Sequence, residues 1–219
     1  MALTLEQLKT RQNFVGASDS PVLFNLSRFK TLQDLWRSKV EPPQVKPETP
    51  ATRMGNLLEP VVMQLAEDAL NAPPSAKNIV SSIGRMGASF DGVLRAGQWT
   101  YRTKIQDRTC LIEAKTCGFA GEVLETWGRG GTEDVPPRVL MQAQHQLHVA
   151  QCFPSTIGED PKPEICWVSL LSGHDGRGHR MYRIKYNKSV GERIENVCNQ
   201  FWKLYVEPRI EPPIFVEWQ

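Results

Sequence analysis

The chain has 219 residues, 40% hydrophobic and 23% charged, with a formal net charge of +2. These are ordinary proportions for a globular protein with a real core. So slight a positive balance does not announce a nucleic-acid binder and does not exclude one, because clustering matters more than the sum. Five cysteines (Cys110, Cys117, Cys152, Cys166 and Cys198) form neither an even set nor a C-x-x-C pair. A disulfide framework and a zinc knuckle are therefore not expected, and a reducing compartment fits. No apolar run reaches signal length or the roughly 20 residues of a membrane span, so a cytoplasmic protein without a membrane partner is expected.

In chain order, Thr4 to Gln7 reads as a capping box opening a short helix that ends near Arg11. Gly16 then permits a tight turn, and Ser18 or Asp19 can cap a second short helix with Pro21 in its first turn. Such a helix start is a ready anion site. Thr31 to Lys39 predicts a helix from Leu32, Leu35 and Trp36. The Pro-rich stretch from Glu41 to Pro50 predicts a loop. A long helix is expected from Ala51 to Leu70, with Leu58, Val62, Leu65 and Ala69 as its buried stripe. Glu59 lies at the rim of that stripe. Pro60 follows it, so a kink or a late start after Gly55 is expected.

Asn71 to Lys77 reads as a loop, after which Ile79–Ile83, Met86–Leu94 and Thr109–Thr116 predict three strands in a meander. Phe119 to Trp127 suggests a short helix. Asp134, with Pro136 and Pro137, suggests the cap of a helix running to Gln151. That helix is unusually polar (Gln142, Gln144, His145, Gln146, His148) around a core stripe of Leu140, Ala143, Leu147 and Ala150. His145 and His148 have the spacing of metal ligands but no third His or Cys beside them. Glu164–Leu171 and Arg180–Tyr186 predict two further strands, and Ser189 to Val206 a closing amphipathic helix. A Pro-rich tail ends in Phe215-Val216-Glu217-Trp218-Gln219, and its aromatics can dock on the same domain or on a neighbour. Between residues 174 and 193, six cations (Arg177, Arg180, Arg183, Lys185, Lys188, Arg193) face two acids.

The second and third strands carry the chemistry. Each places one carboxylate, Asp91 and Glu113, in an apolar segment, and Lys115 follows Glu113 by two. Residues two apart share a face of a strand, so Glu113 and Lys115 point together. An acid and an ammonium at the end of an apolar strand are costly to bury unpaired, and serve a salt bridge or a metal-dependent site. With Asp91 on the neighbouring strand, Asp91 and Glu113 can hold a hard cation between them.

This order of elements and carboxylates resembles the restriction-endonuclease-like, or PD-(D/E)XK, nuclease superfamily. Arg11…Gly16-Ala17-Ser18-Asp19, Gly55-Asn56-Leu57-Leu58-Glu59-Pro60 and Gln142-Ala143-Gln144-His145-Gln146-Leu147 further resemble blocks of the phage lambda exonuclease and YqaJ-type viral recombinase family. The resemblance implies an α/β fold with a restriction-endonuclease-like core, a central mixed sheet flanked by helices, in a single domain over 1–219. It implies a 5′-to-3′ exonuclease on linear double-stranded DNA that leaves 3′ single-stranded tails for a single-strand annealing partner. It further implies a ring-shaped homotrimer and a phage or prophage origin, in the cytoplasm of a bacterial host. Glu59, Asp91, Glu113 and Lys115 would be catalytic. Glu59, Asp91, Glu113 and the Ala114 carbonyl would hold two Mg2+ ions, or Mn2+. Arg11, Ser18 and Gln142 would hold the 5′-phosphate, and the cations of 174–193 would track the DNA backbone. Two alternatives stay open: a structure-specific endonuclease on the same fold, and a non-catalytic DNA-binding scaffold.

Overall fold

The computed structural model describes residues 4–45, 47–74, 79–118, 126–152, 162–173 and 178–219. The short helix expected within Phe119–Trp127 therefore lies almost wholly outside the described residues, as do residues 174–177 with Arg177.

The N-terminal helix α1 (Leu5–Arg11) opens on the expected capping box, with Thr4 and Gln7 exchanging side-chain and backbone hydrogen bonds. Val15–Gly16, expected as part of a turn, is instead a strand, β1. The short α2 (Ser20–Leu23) has Asp19 at its cap position without a side-chain cap bond. Helix α3 (Leu32–Val40) carries a capping box of its own from Thr31 and Asp34.

Helix α4 (Pro50–Leu70) runs unbroken through Pro60. The proline stands on the exposed side, and the Asn56 carbonyl one turn earlier loses its intrahelical donor. The buried row is Val62, Met63, Ala66 and Leu70. Leu58 and Leu65 are only half-buried and Ala69 is exposed, so the expected stripe is rotated by one residue. Small Ala66 lets the helix approach the sheet closely. The rotation also puts Glu59 at the head of the row that continues through Met63, Ala66 and Leu70, which aims it at the sheet.

Strand β2 (Ile79–Ile83) pairs antiparallel with β3 (Met86–Phe90), and β3 pairs in parallel with β1 through Val15↔Met86 and Gly16↔Gly87. The expected second strand breaks at Asp91 and resumes as β4 (Gly92–Leu94). The polar excursion contains an unforeseen hairpin, β5 (Thr100–Tyr101) and β6 (Lys104–Ile105). Strand β7 (Cys110–Cys117) is the centre of a four-stranded sheet ordered β4-β7-β8-β9, with β8 at Ile165–Ser172 and β9 at Gly178–Lys185. β7 is antiparallel to β4 and parallel to β8, so the sheet is mixed as expected. Helix α5 (Pro137–Cys152) begins at Pro137, leaving Pro136 rather than Asp134 at the cap position. Helix α6 (Lys188–Phe201) passes into a π-helical turn at Trp202–Val206.

Alternation along β7 and β8 divides the core. Ile112 and Trp167 meet Met63, Ala66 and Leu70 of α4 on one face. Leu111, Val168, Tyr182 and Ile184 meet Val139, Ala143 and Leu147 of α5, and Ile194 and Phe201 of α6, on the other. A strand covered on both faces needs apolar residues throughout, which is why the carboxylates of this region stand out in sequence. The tail docks on its own domain. The Trp218 indole donates to the Leu23 carbonyl at 2.6 Å, and its ring meets Phe201 and Tyr205 edge-on. The five cysteines are free. Among the described residues no helix is long and apolar enough to cross a membrane.

Candidate active site

The site forms where β4 ends. Pairing between β4 and β7 stops at Gly92↔Ile112, so the next β7 residue facing that edge, Ala114, has no strand partner there. Asp91 fills the place: its Oδ2 accepts the Ala114 N–H at 2.8 Å. The Ala114 carbonyl points along the same open edge, beside Asp91.

Glu113 turns to the opposite face, beneath α5, and is 4% exposed. Its Oε1 accepts from Lys115 Nζ at 2.5 Å and from Gln142 Nε2 at 2.6 Å, and its Oε2 accepts from Gln146 Nε2 at 2.5 Å. Gln146 also donates to the Ser89 carbonyl and His145 bonds the Gly87 carbonyl, so α5 is tied to β3 as well as to the carboxylate. The unusual polarity of this helix serves that clamp. Burial raises Asp91 well above the usual carboxylate range, and the charges of Glu113 and Glu59 add to the effect against the opposing Ala114 N–H and Lys115.

A second cluster lies at the start of the chain. Arg11 Nη2 donates to Ser18 Oγ at 3.2 Å. Gly16 leaves room for this approach: a Cβ there would sit 3.0 Å from the same guanidinium nitrogen, which would have to give by a few tenths of an ångström. Asp19 Oδ1 pairs with Lys30 Nζ at 2.9 Å and its Oδ2 lies 3.7 Å from Lys39 Nζ. Lys39 Nζ, with its side chain 3% exposed, donates to the Arg11 carbonyl at 2.8 Å. Burial would raise Asp19, but Lys30, Lys39 and Arg11 outweigh it and lower its pKa to about 2. Burial dominates at Lys39 and lowers it to about 8 despite Asp19. Three cations thus surround one acid, an arrangement suited to an added anion.

Asp91, Glu113, Ala114 and Lys115 come together as expected, with Glu59 near enough for its charge to act on Asp91. Arg11 and Ser18 come together in the other cluster. Gln142, grouped with them by resemblance, spends its amide on Glu113. His145 and His148 do not form a metal pair. His148 bonds the Tyr186 hydroxyl and Glu195, and burial lowers His145 to about 3 against its Gly87 bond. Sequence reading missed Lys30 and Lys39 as partners of Asp19, and Gln146 as a partner of Glu113. Lys39 did leave a signal, since it continues the apolar row of Leu32, Leu35 and Trp36 where a solvated lysine is out of place. Of the cations between 174 and 193, Lys188 pairs with Glu192 and Arg193 holds the Trp218 and Gln219 carbonyls. Arg183 and Lys185 line a cleft of about 280 Å3 with Arg108 and Tyr186.

A family model, the YqaJ-like viral recombinase domain, matches residues 6–153. The chain belongs to this family. The matched span takes in both clusters and the whole clamp from α5. No curated protein matches the chain in sequence. Among solved structures, an alkaline exonuclease from Laribacter hongkongensis, LHK-Exo, is similar with a TM-score of 0.60 at 17% identity, covering 95% of each chain. The same enzyme in complex with dAMP gives 0.62, also at 17% identity and covering 95% of each chain. A phage-related exonuclease from Haemophilus somnus 129PT gives 0.57 at 9% identity, covering 89% of this chain and 94% of that one. At these identities the likeness is one of fold.

The donors at the β4 edge suit a hard divalent cation. Two carboxylates and a backbone carbonyl are oxygen ligands, Asp91 Oδ1 has no protein donor among the described residues, and repulsion between Asp91 and Glu113 is relieved by positive charge. Among the described residues no three His, Cys, Asp or Glu side chains are grouped to hold a metal, so Glu59 is not drawn in as a third carboxylate ligand here.

Proposed function

We propose that this protein is a Mg2+-dependent exonuclease that degrades the 5′-phosphorylated strand of linear duplex DNA to mononucleotides, 5′ to 3′. The observation that carries the reading is the convergence of Asp91, Glu113 and the Ala114 edge, with Lys115 held on Glu113. Membership of a recombinase-domain family supports it, as does a fold shared with an alkaline exonuclease that binds dAMP and with a phage-related exonuclease.

Asp91, Glu113 and the Ala114 carbonyl would hold one ion, for which Mn2+ satisfies the same donors; a second ion would need Glu59 to move in from α4 on metal binding. Bound cations would supply charge neutralisation at the phosphoryl oxygens and an acidified water. Lys115 would orient that water, or take its proton, from its place beside Glu113. Gln142 and Gln146 keep Glu113 in one rotamer, which a precise ligand set requires. Arg11 and Ser18 would receive the 5′-terminal phosphate, with Lys30 and Lys39 adding charge through Asp19. The resulting 3′ single strand would pass to an annealing protein, and subunits would close into a trimer around the duplex.

The test uses linear duplex DNA with a 5′-phosphate at one end and a hydroxyl at the other. Loss of the phosphorylated strand in magnesium, abolished by EDTA and by Lys115→Ala, is expected. Digestion of a closed circle would establish an endonuclease instead. Binding without hydrolysis would establish a scaffold.

A further inference from the structure

The β5–β6 hairpin is built in an unusual way. Its two-residue loop, Arg102-Thr103, has positive φ at both positions, 49° and 65°. Such a turn matches the twist of the paired strands, but its left-handed residues are normally Asn and Gly. A β-branched threonine and a long arginine there are out of keeping with local preference. The hairpin is nonetheless firmly held. Its ladder continues past the strands, through Gly97 N to Gln106 O and Gln106 N to Trp99 O. At its base the buried Trp99 donates to the Arg108 carbonyl at 2.7 Å. The Tyr101 ring lies on Trp167 with centroids 4.8 Å apart.

That anchorage fixes where the tip stands. Trp167 is in register with Ile112, the residue before Glu113, and Tyr101 packs in the same apolar cluster as Ala114. The hairpin therefore stands on the α4 face of the sheet over β8, one strand from β7 on the side away from β4. Residues 95–108 carry Arg95, Arg102, Lys104 and Arg108 against Asp107 alone. Arg108 is paired with Glu164 at 2.6 Å. Arg102 and Lys104 are exposed and have no ion-pair partner among the described residues. Arg102 instead lies over the Tyr101 ring, 5.3 Å from its centroid. Past Arg108 the cations continue into the cleft of Arg183 and Lys185. A strained, rigid turn that spends its exposed positions on unpaired cations is arranged for a polyanion.

We propose that the β5–β6 hairpin is a nucleic-acid contact arm whose Arg102 and Lys104 bind backbone phosphates of the duplex that the carboxylate edge acts on. This rests on the reading of the protein as a DNA-processing enzyme, and adds to it a surface outside both clusters.

The test measures affinity for linear duplex DNA in EDTA across a range of salt, so that hydrolysis does not interfere. Each phosphate contact contributes about 0.9 to the slope of log K against log salt. The variant Arg102→Asn/Thr103→Gly/Lys104→Gln installs the preferred turn and removes both charges. It should lower the slope by about 2 while its melting temperature stays the same or rises. Thr103→Gly alone relaxes the turn, keeps the charges and should keep the slope. An unchanged slope in the triple variant, with DNA still bound, overturns the arm and leaves the nuclease reading standing. An unsubstituted protein that binds no DNA overturns both.

Discussion

Asp91 and Asp19 are both partly buried aspartates with lysine nearby, yet their surroundings push them in opposite directions. Asp91 shares its space with Glu113 and Glu59 and is raised well above the usual range. Asp19 is ringed by Lys30, Lys39 and Arg11 and falls to about 2. The sign follows from which charge is in excess, because burial raises both. One pocket holds more negative charge than its own cations balance and suits an added cation. The other holds more positive charge than Asp19 balances and suits an added anion. A cation and an anionic phosphate are the two things a metal-dependent, end-recognising nuclease has to hold.

The largest expected effect is on the first pocket. Asp91→Asn or Glu113→Gln should lower hydrolysis about a thousandfold, the scale of the several kcal/mol assigned to charge neutralisation by bound cations. Stability should move the other way. With its folded pKa raised, Asp91 contributes stability at low pH that is lost as pH rises through that pKa. At neutral pH its ionised form is therefore a cost to the metal-free fold. Asp91→Asn should raise the melting temperature in EDTA and abolish the rise that magnesium gives the unsubstituted protein. A lower melting temperature for Asp91→Asn in EDTA would show that the carboxylate is structural and not a charge held for a cation.

The next effect is on the second pocket, with the opposite sign. Asp19 is lowered from 3.8 to about 2, so its stabilisation is present above pH 4 and lost as pH falls through about 2. Asp19→Asn leaves Lys39 buried without its counter-charge and should cost about 3 kcal/mol at pH 7, at the low end for breaking a buried pair. In urea unfolding the deficit should shrink below pH 4 to a small remainder near pH 2, where the native aspartate is half protonated. A full deficit at pH 2 would assign the loss to packing instead.

The two pockets also differ in how legible they are. Asp91, Glu113 and Lys115 stand out because a strand apolar on both faces has no other use for charge. Pairing alternation then places Glu113 and Lys115 together without any tertiary information. Glu59 was marked by the proline after it, but its direction depended on the true buried row of α4, set by Ala66 against the sheet rather than by periodicity alone. The Asp19 cluster joins residues from four segments, and no local pattern ties Arg11, Asp19, Lys30 and Lys39 to one point. β1, only two residues long, and the β5–β6 hairpin escaped for two different reasons. The partner of β1, β3, is distant in sequence, and the β5–β6 turn is made by Arg102-Thr103 rather than the Asn-Gly that marks such hairpins, so local propensity names neither. The polar run of α5 was visible, but its division of labour was not. His145 and Gln146 clamp β3, Gln142 and Gln146 hold Glu113, and Gln144 bonds the Lys185 carbonyl.

Gln142 separates the two pockets with an effect of moderate size. Its amide reaches Glu113 at 2.6 Å, which assigns it to the cation pocket. Gln142→Leu should lower turnover about tenfold, one charged hydrogen bond's worth, with equal loss on 5′-phosphorylated and 5′-hydroxyl ends. Lys30→Ala, in the anion pocket, should instead erode the preference for the phosphorylated end while turnover at saturating DNA holds. An exchange of these two phenotypes would return Gln142 to the phosphate.

The smallest effect concerns how the anion pocket is kept in shape. Asp19 and Ser18 sit at the start of α2, a helix of four residues too short to hold itself. Its far end is tied down by the tail, where the Trp218 indole donates to the Leu23 carbonyl at 2.6 Å. Trp218→Phe keeps a ring against Phe201 and Tyr205 but removes that donor, and should cost about 1 kcal/mol, an ordinary hydrogen bond. For a chain of this length that is a fall of about 2–4 °C in melting temperature. If the tail steadies α2 and not only the core, the loss should carry a small decline in the preference for 5′-phosphorylated ends and none in magnesium affinity. The cation pocket is held by α5 and the sheet, with no contact from the tail among the described residues. An equal decline in both would mean that the two pockets, opposite in charge, share one mechanical support.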